Sequence, residues 1–173
     1  MGRYEYIVEV AKRNIYRDKR GRFTFAPGGA VSGAWNDEND PNGSRRRYIA
    51  DKLYTEIRNR KKSFEVSAVA KHSGLSVEDV SRIYDHIFIR PHNLGDNEIR
   101  RFDPDYYMAH SWLRLRSGKN IQKHDITMLK HELAEERFMG DSLEILYIDA
   151  HKQASKWYNY QRELTEYLKK HDV

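Results

Sequence analysis

Cysteine is absent from the 173-residue chain, which removes disulfides, thiolate metal sites and cysteine nucleophiles together and is compatible with a working place inside a cell. Long apolar runs are missing too. No window approaches the roughly 18 consecutive apolar residues that span a bilayer, and the N-terminus lacks the apolar core of a signal peptide. These absences predict a soluble, cytoplasmic chain with no membrane partner. The hydrophobic fraction is 39% against 33% charged, a balance that suits helices with solvated outer faces better than a β-sandwich. A chain of 20.6 kDa is long enough to bury one core.

What is present is positive charge. The net charge of +5 and pI near 9.3 favour an acidic partner, nucleic acid above all. The charge concentrates near the N-terminus, where Arg3, Lys12, Arg13, Arg17, Lys19, Arg20 and Arg22 are interleaved with Tyr4, Tyr6 and Tyr16. Cations mixed with aromatics grip a phosphate backbone and stack on bases, although a charge run is also what a solvated arm looks like. Alternation over Tyr4, Tyr6, Val8 and Val10 suggests a strand, with Asp18-Lys19-Arg20-Gly21 turning the chain back into Arg22-Phe23-Thr24-Phe25. A helix over residues 4–16 competes with that reading. Residues 26–44 form a glycine- and proline-bearing linker whose acidic run is no calcium loop, because Pro41 stands where the third oxygen ligand belongs. The expected organisation is therefore a basic N-terminal arm and linker over 1–44 and a helical domain over 45–173.

The first expected helix, 45–61, carries Ile49, Leu53 and Ile57 at four-residue spacing and opens with Arg45, Arg46 and Arg47, cations that oppose its macrodipole and would welcome an anion. With Arg17, Lys19, Arg20 and Arg22 they are the candidate nucleic-acid contacts. Between Phe64 and Phe88, Val69-Ala70, Gly74-Leu75-Ser76, Val80 and Ile83 stand where a helix-turn-helix needs its apolar contacts, its glycine turn and its N-cap. That stretch resembles the corresponding segment of LacI-type repressors. Its second helix opens with Glu78 and Asp79, which phosphates would repel, so a structural helix-turn-helix is favoured over one that reads DNA. Residues 90–101 read as a loop. A helix starting at Asp103-Pro104 places Tyr107, Ala109, Trp112 and Leu115 in the core and stops at Ser117-Gly118. From Asp141-Ser142 onward no proline or glycine interrupts the chain, which predicts a single long helix with Leu146, Ala150, Ala154 and Tyr158 on one side and His151 beside them.

The helix expected over 121–139 holds the chemistry. His124, Met128, His131 and Glu135 fall on one stripe, with Ile126, Leu129 and Leu133 opposite as an aliphatic anchor. His86, His124, His131, Glu132, Glu135 and His151 are the groups that three helices can bring together. His131-Glu132-Leu133-Ala134-Glu135 resembles the zincin helix but has glutamate where the second histidine belongs; His131, Glu135 and His151 would be the ligands of a metallopeptidase built on it. Without a metal, two histidines and a glutamate can run acid–base cleavage of RNA: His131 as base, His151 as acid, Glu135 orienting an imidazole, and Lys130 or Arg137 holding phosphate. The expected catalytic set is His124, His131, Glu135 and His151, with no metal and no cofactor. A paired polar cluster in the core is the competing structural explanation.

Phe102-Asp103-Pro104-Asp105-Tyr106, Trp112-Leu113-Arg114-Leu115, His124-Asp125-Ile126, Leu129-Lys130-His131-Glu132 and Ala150-His151 together resemble a helical domain at the C-termini of phage Mu-type head morphogenesis proteins and of polymorphic toxins. The resemblance implies a mobile-element effector acting inside a bacterial cell or a phage-infected host. The expected fold is mainly α, five or six helices around one core including the helix-turn-helix-like pair, with a basic, partly extended N-terminal arm. The expected function is a toxin-like, metal-independent ribonuclease, with RNA favoured over duplex DNA as partner. The alternative is a non-enzymatic protein that binds nucleic acid or a host nucleoprotein, such as a phage inhibitor of a host defence system like CRISPR.

Overall fold

A computed structural model describes residues 16–17, 23–24 and 42–171. Strand β1 (Tyr16–Arg17) pairs antiparallel with β2 (Phe23–Thr24), Tyr16 opposite Thr24 and Arg17 opposite Phe23, in agreement with the chain reversal expected between them. Lys19, Arg20, Arg22, the reading of residues 4–16 and the linker over 26–41 lie outside the described residues.

The rest is mainly α. Helix α1 (Gly43–Asn59) buries Ala50, Tyr54 and Ile57, a stripe offset by one residue from the Ile49 and Leu53 expected to lead it. Tyr54 decides the rotation: its ring meets Phe88 edge-on at 4.9 Å, and an aromatic buries more surface than either aliphatic neighbour. Helix α2 (Lys62–Ser73) ends at Gly74, whose φ of +76° is the left-handed conformation that only glycine adopts without strain. Helix α3 (Val77–Tyr84) starts at Ser76, whose Oγ accepts the Asp79 N–H at 3.0 Å. The helix-turn-helix geometry is thus present. Its second helix packs inward through Val80, Ile83 and Tyr84, and Asp79 in its first turn binds Arg137 at 3.0 Å.

Beyond Tyr84 the helix widens into a π-turn over Asp85–Ile89, closed by the Arg90 N–H on the Asp85 carbonyl at 2.7 Å. Where a loop was expected, β3 (His92–Asn93) and β4 (Ile99–Arg100) form a short antiparallel hairpin. Its tip reverses through Gly95, Asp96 and Asn97, all at positive φ and all residue types that tolerate it. Helix α4 (Tyr106–Ser117) is capped by Asp105, which accepts the Met108 N–H at 2.7 Å, and it buries the expected Tyr107, Ala109, Trp112 and Leu115.

Helix α5 (Lys123–Met139) is the axis of the bundle. It packs on α3, α4, α6 (Tyr147–Trp157) and α7 (Tyr160–Lys170), which encloses both its imidazole-bearing stripe and its aliphatic one. His124, Met128, His131 and Glu135 are buried, and so are Leu129 and Leu133 on the other side. The single C-terminal helix is also corrected. Residues 141–146 are not helical, and the chain breaks again at Tyr158 and Asn159, where Asn159 caps α7 by accepting the Arg162 N–H at 3.0 Å. That break folds α7 back onto α5, burying Tyr160, Leu164 and Leu168, so the described residues contain seven α-helices.

Two apolar clusters flank the axis. The larger centres on Trp112, Tyr84 and Phe88, whose rings meet at 5.0–5.9 Å. Each such ring contributes about 2–3 kcal/mol by leaving water. The smaller contains Leu94, Phe102, Met139, Tyr147 and Ala150, and it walls one side of the polar cluster described next.

Candidate functional site

Glu135, one turn after His131 on α5, has no exposed surface, yet three imidazoles converge on its carboxylate. His131 Nε2 and His151 Nδ1 both lie 2.7 Å from Oε1, and His86 Nε2 lies 3.1 Å from Oε2. Three elements supply them: α5 itself, α6 and the π-turn. Ala150 and Ala154, small residues buried between α5 and α6, admit the close approach that brings His151 in. The π-turn buries His86 against His92 and Phe102, with ring centroids at 4.5 and 5.3 Å.

The protons can be placed from the acceptors. His131 Nδ1 faces the Tyr158 carbonyl at 2.7 Å, so it carries a proton and donates it there. With Nδ1 committed, a neutral His131 would aim the bare lone pair of Nε2 at a carboxylate oxygen. A proton on Nε2 removes that repulsion and makes His131 an imidazolium. Its pKa is raised accordingly: burial pushes it down, but the hydrogen bond to Glu135, the carboxylate charge and the Tyr158 carbonyl outweigh burial. His151 Nδ1 must donate to the same oxygen, and it sits only 3.1 Å from His131 Nε2 and 3.0 Å from the Tyr147 hydroxyl. Two N–H groups and a hydroxyl therefore crowd around one carboxylate oxygen.

Two of the buried carboxylates of α5, Glu135 and Glu132, are pushed in opposite directions. Burial would raise Glu135, but the three histidines override it and hold the group well below the usual carboxylate range. Glu132, 3.8 Å from His86 through its Oε2, is pushed well above that range by burial first and by the neighbouring charges of Glu135 and Asp105 next. One is pushed towards the anion and the other towards the neutral acid, the kind of separation that marks acid and base partners. His92 donates Nε2–H to the His86 carbonyl at 2.7 Å and stacks on Phe102 at 4.1 Å. Burial lowers its pKa to about 4, so it is neutral near pH 7.

His124 is not part of this cluster. It lies two helical turns before His131, about 10 Å along the axis. There its Nε2 is 3.2 Å from an Arg114 guanidinium nitrogen, which also binds Asp125, and its ring lies 4.7 Å from that of Tyr167 on α7. It is therefore not brought together with His131, Glu135 and His151. Among the candidate cationic contacts, Arg45 and Arg47 are exposed at the start of α1, whereas Arg46 lies 5.5 and 5.7 Å over the rings of Tyr107 and Tyr106. Lys130 and Arg137 line a groove of about 620 Å³ with Phe138, Trp157 and Tyr158. That groove contains none of the clustered residues; its link to them is Tyr158, whose carbonyl holds His131.

No family model, curated protein or solved structure matches this chain. The site thus rests on its own geometry. Tyr147 was missed by the sequence reading although it stands four residues before His151, a spacing that puts both on one helix face. His92 and the Tyr158 carbonyl carry no such signal, because a hairpin and a helix break place them. Three members of the cluster, His131, Glu135 and His151, have ligand atoms close enough to share one cation, and so do His86, Glu132 and Glu135.

Proposed function

We propose that this chain is an effector from a phage or another mobile element that acts on nucleic acid by cleaving RNA, with His131, Glu135 and His151 as its reacting centre. The observation that carries the reading is the convergence of two imidazoles on one oxygen of a buried carboxylate, with one of them, His151, 29% exposed. Cleavage of a phosphodiester requires a proton to leave the attacking oxygen and another to reach the departing one. An imidazole held by an anion and open to solvent on one side is suited to that exchange. His86, on the opposite carboxylate oxygen, holds Glu135 in position. The net charge of +5 and exposed Arg45 and Arg47 suit a polyanionic substrate.

The test is incubation of the purified chain with mixed tRNA, single-stranded RNA and duplex DNA. RNA is expected to be cut, His131→Ala to abolish cleavage while remaining folded, and His124→Ala to retain it. Cleavage unchanged in His131→Ala contradicts the assignment.

One observation favours a second reading: His86, His131 and Glu135 are each at most 3% exposed, as in a cluster that only stabilises. In that case the chain binds nucleic acid or a host nucleoprotein without turnover. Binding would then weaken with salt and on neutralising Arg45 and Arg47, and would be unaffected by His131→Ala.

A further inference from the structure

The atoms His131 Nε2, His151 Nδ1 and Glu135 Oε1 form a triangle with edges of 2.7, 2.7 and 3.1 Å. Three atoms this close hold a point about 2 Å from each of them, roughly 1.2 Å off their plane, and 2.0–2.2 Å is the bond length zinc takes to imidazole and carboxylate. We propose that the triangle is a binding site for one divalent cation of the zinc type, with His131, Glu135 and His151 as its protein ligands.

Three further features fit this assignment independently of the distances. The Tyr158 carbonyl accepts from His131 Nδ1, which leaves Nε2 as the ligand nitrogen and fixes the plane of the ring. His86 donates to the other oxygen of Glu135, the contact that turns a carboxylate so that one oxygen is offered to a metal. The donor set is two nitrogens and one oxygen with no sulfur, which suits zinc and its neighbours better than calcium or magnesium.

The ion also resolves the crowding of protons. An ion at this point takes the place of hydrogen at His131 Nε2 and His151 Nδ1, so that each ring presents a lone pair to it beside Glu135 Oε1. Three protein ligands leave a coordination position for water, as in catalytic rather than structural zinc sites. His151 is the partly exposed ligand and marks the side from which the ion enters. The inference deepens the ribonuclease reading by replacing its expected metal independence with a metal-bound water, and it rests on that reading only for the reaction.

The experiment uses tag-free protein stripped with chelator and titrated with Co²⁺, followed by visible absorption and by competition with Zn²⁺. We expect binding near one ion per chain, with the absorption of a four- or five-coordinate centre. His151→Ala should bind at least about a hundredfold more weakly and His86→Ala about ten- to a hundredfold more weakly. His171→Ala, which removes an exposed imidazole, should bind like the parent, and circular dichroism of each variant establishes that it is folded. Absence of stoichiometric binding in the parent overturns the site, and so does equal affinity in folded His151→Ala. RNA cleavage by the fully stripped protein at an unreduced rate also overturns a working metal while leaving the ribonuclease reading standing. One bound ion without RNA cleavage leaves the cation site standing and removes that reading.

Discussion

Glu65 and Glu135 are two of the carboxylates that this fold buries almost completely; three side chains donate to each, but the donors differ in kind. Glu65, 1% exposed on α2, accepts from Arg60 Nε at 2.6 Å, Arg116 Nη1 at 3.0 Å and Trp112 Nε1 at 2.7 Å. Glu135 accepts from His86, His131 and His151. Guanidinium keeps its charge at every accessible pH and indole never gives up its proton, so the Glu65 network has one state and serves to lock α2 to α4. Imidazoles can lose a proton, exchange tautomers and bind a cation, so the same burial around Glu135 creates several states close in energy. Burial alone does not separate scaffold from chemistry; the nature of the partners does.

Mutation can break that comparison. Replacing Glu65 with Ala leaves Arg116 and the Trp112 N–H beside an apolar core, and is expected to cost about 3–5 kcal/mol in urea unfolding. The second expected effect comes from pH. The folded-state pKa of His92 is lowered to about 4 from 6.5, so its contribution to stability is present above about pH 6.5 and is lost as pH falls towards 4. The difference amounts to about 3 kcal/mol from this group. Subtracting the stability profile of His92→Asn from that of the parent between pH 7 and 4 isolates it, and a flat difference contradicts the buried neutral ring.

Glu135→Gln should cost less than Glu65→Ala, about 1–3 kcal/mol, because its imidazole partners can become neutral once the anion is gone. An equal or larger loss for Glu135→Gln would make the two networks alike and erase the distinction drawn between them. The smallest expected effect is at the turn that leads towards His86. Ser76→Ala removes the cap of α3 and should cost about 1 kcal/mol. Its cleavage rate should stay within a fewfold of the parent's below the unfolding transition, because the cap touches none of the clustered groups.

Much of the scaffold could be read from local pattern. Gly74 and Ser76 announce the turn between α2 and α3, and Tyr107, Ala109, Trp112 and Leu115 point α4 at the core at helical spacing. The break at Tyr158 and Asn159 left no such mark, because neither residue forbids a helix; the packing of α7 on α5 and the Asn159 cap favour it there. In the site, the one-turn spacing of His131 and Glu135 was legible because it is intrinsic to a helix. His124 shares their stripe but not their neighbours, since a stripe gives direction and says nothing of which helix packs at which height. His86 enters through a π-turn that no local residue type predicts.

The most direct test of the central claim is the pair of measurements on His151→Ala, the replacement that takes away the partly exposed member of the cluster while leaving His131, Glu135 and His86 in place. Urea unfolding and the rate of RNA cleavage are measured on the same preparation, alongside the parent. If the cluster is a reacting centre, stability changes by about 1 kcal/mol or less while the cleavage rate falls at least about a hundredfold. If stability falls by several kcal/mol and the folded fraction cleaves RNA at the parental rate, the cluster around Glu135 is scaffold of the same kind as the one around Glu65.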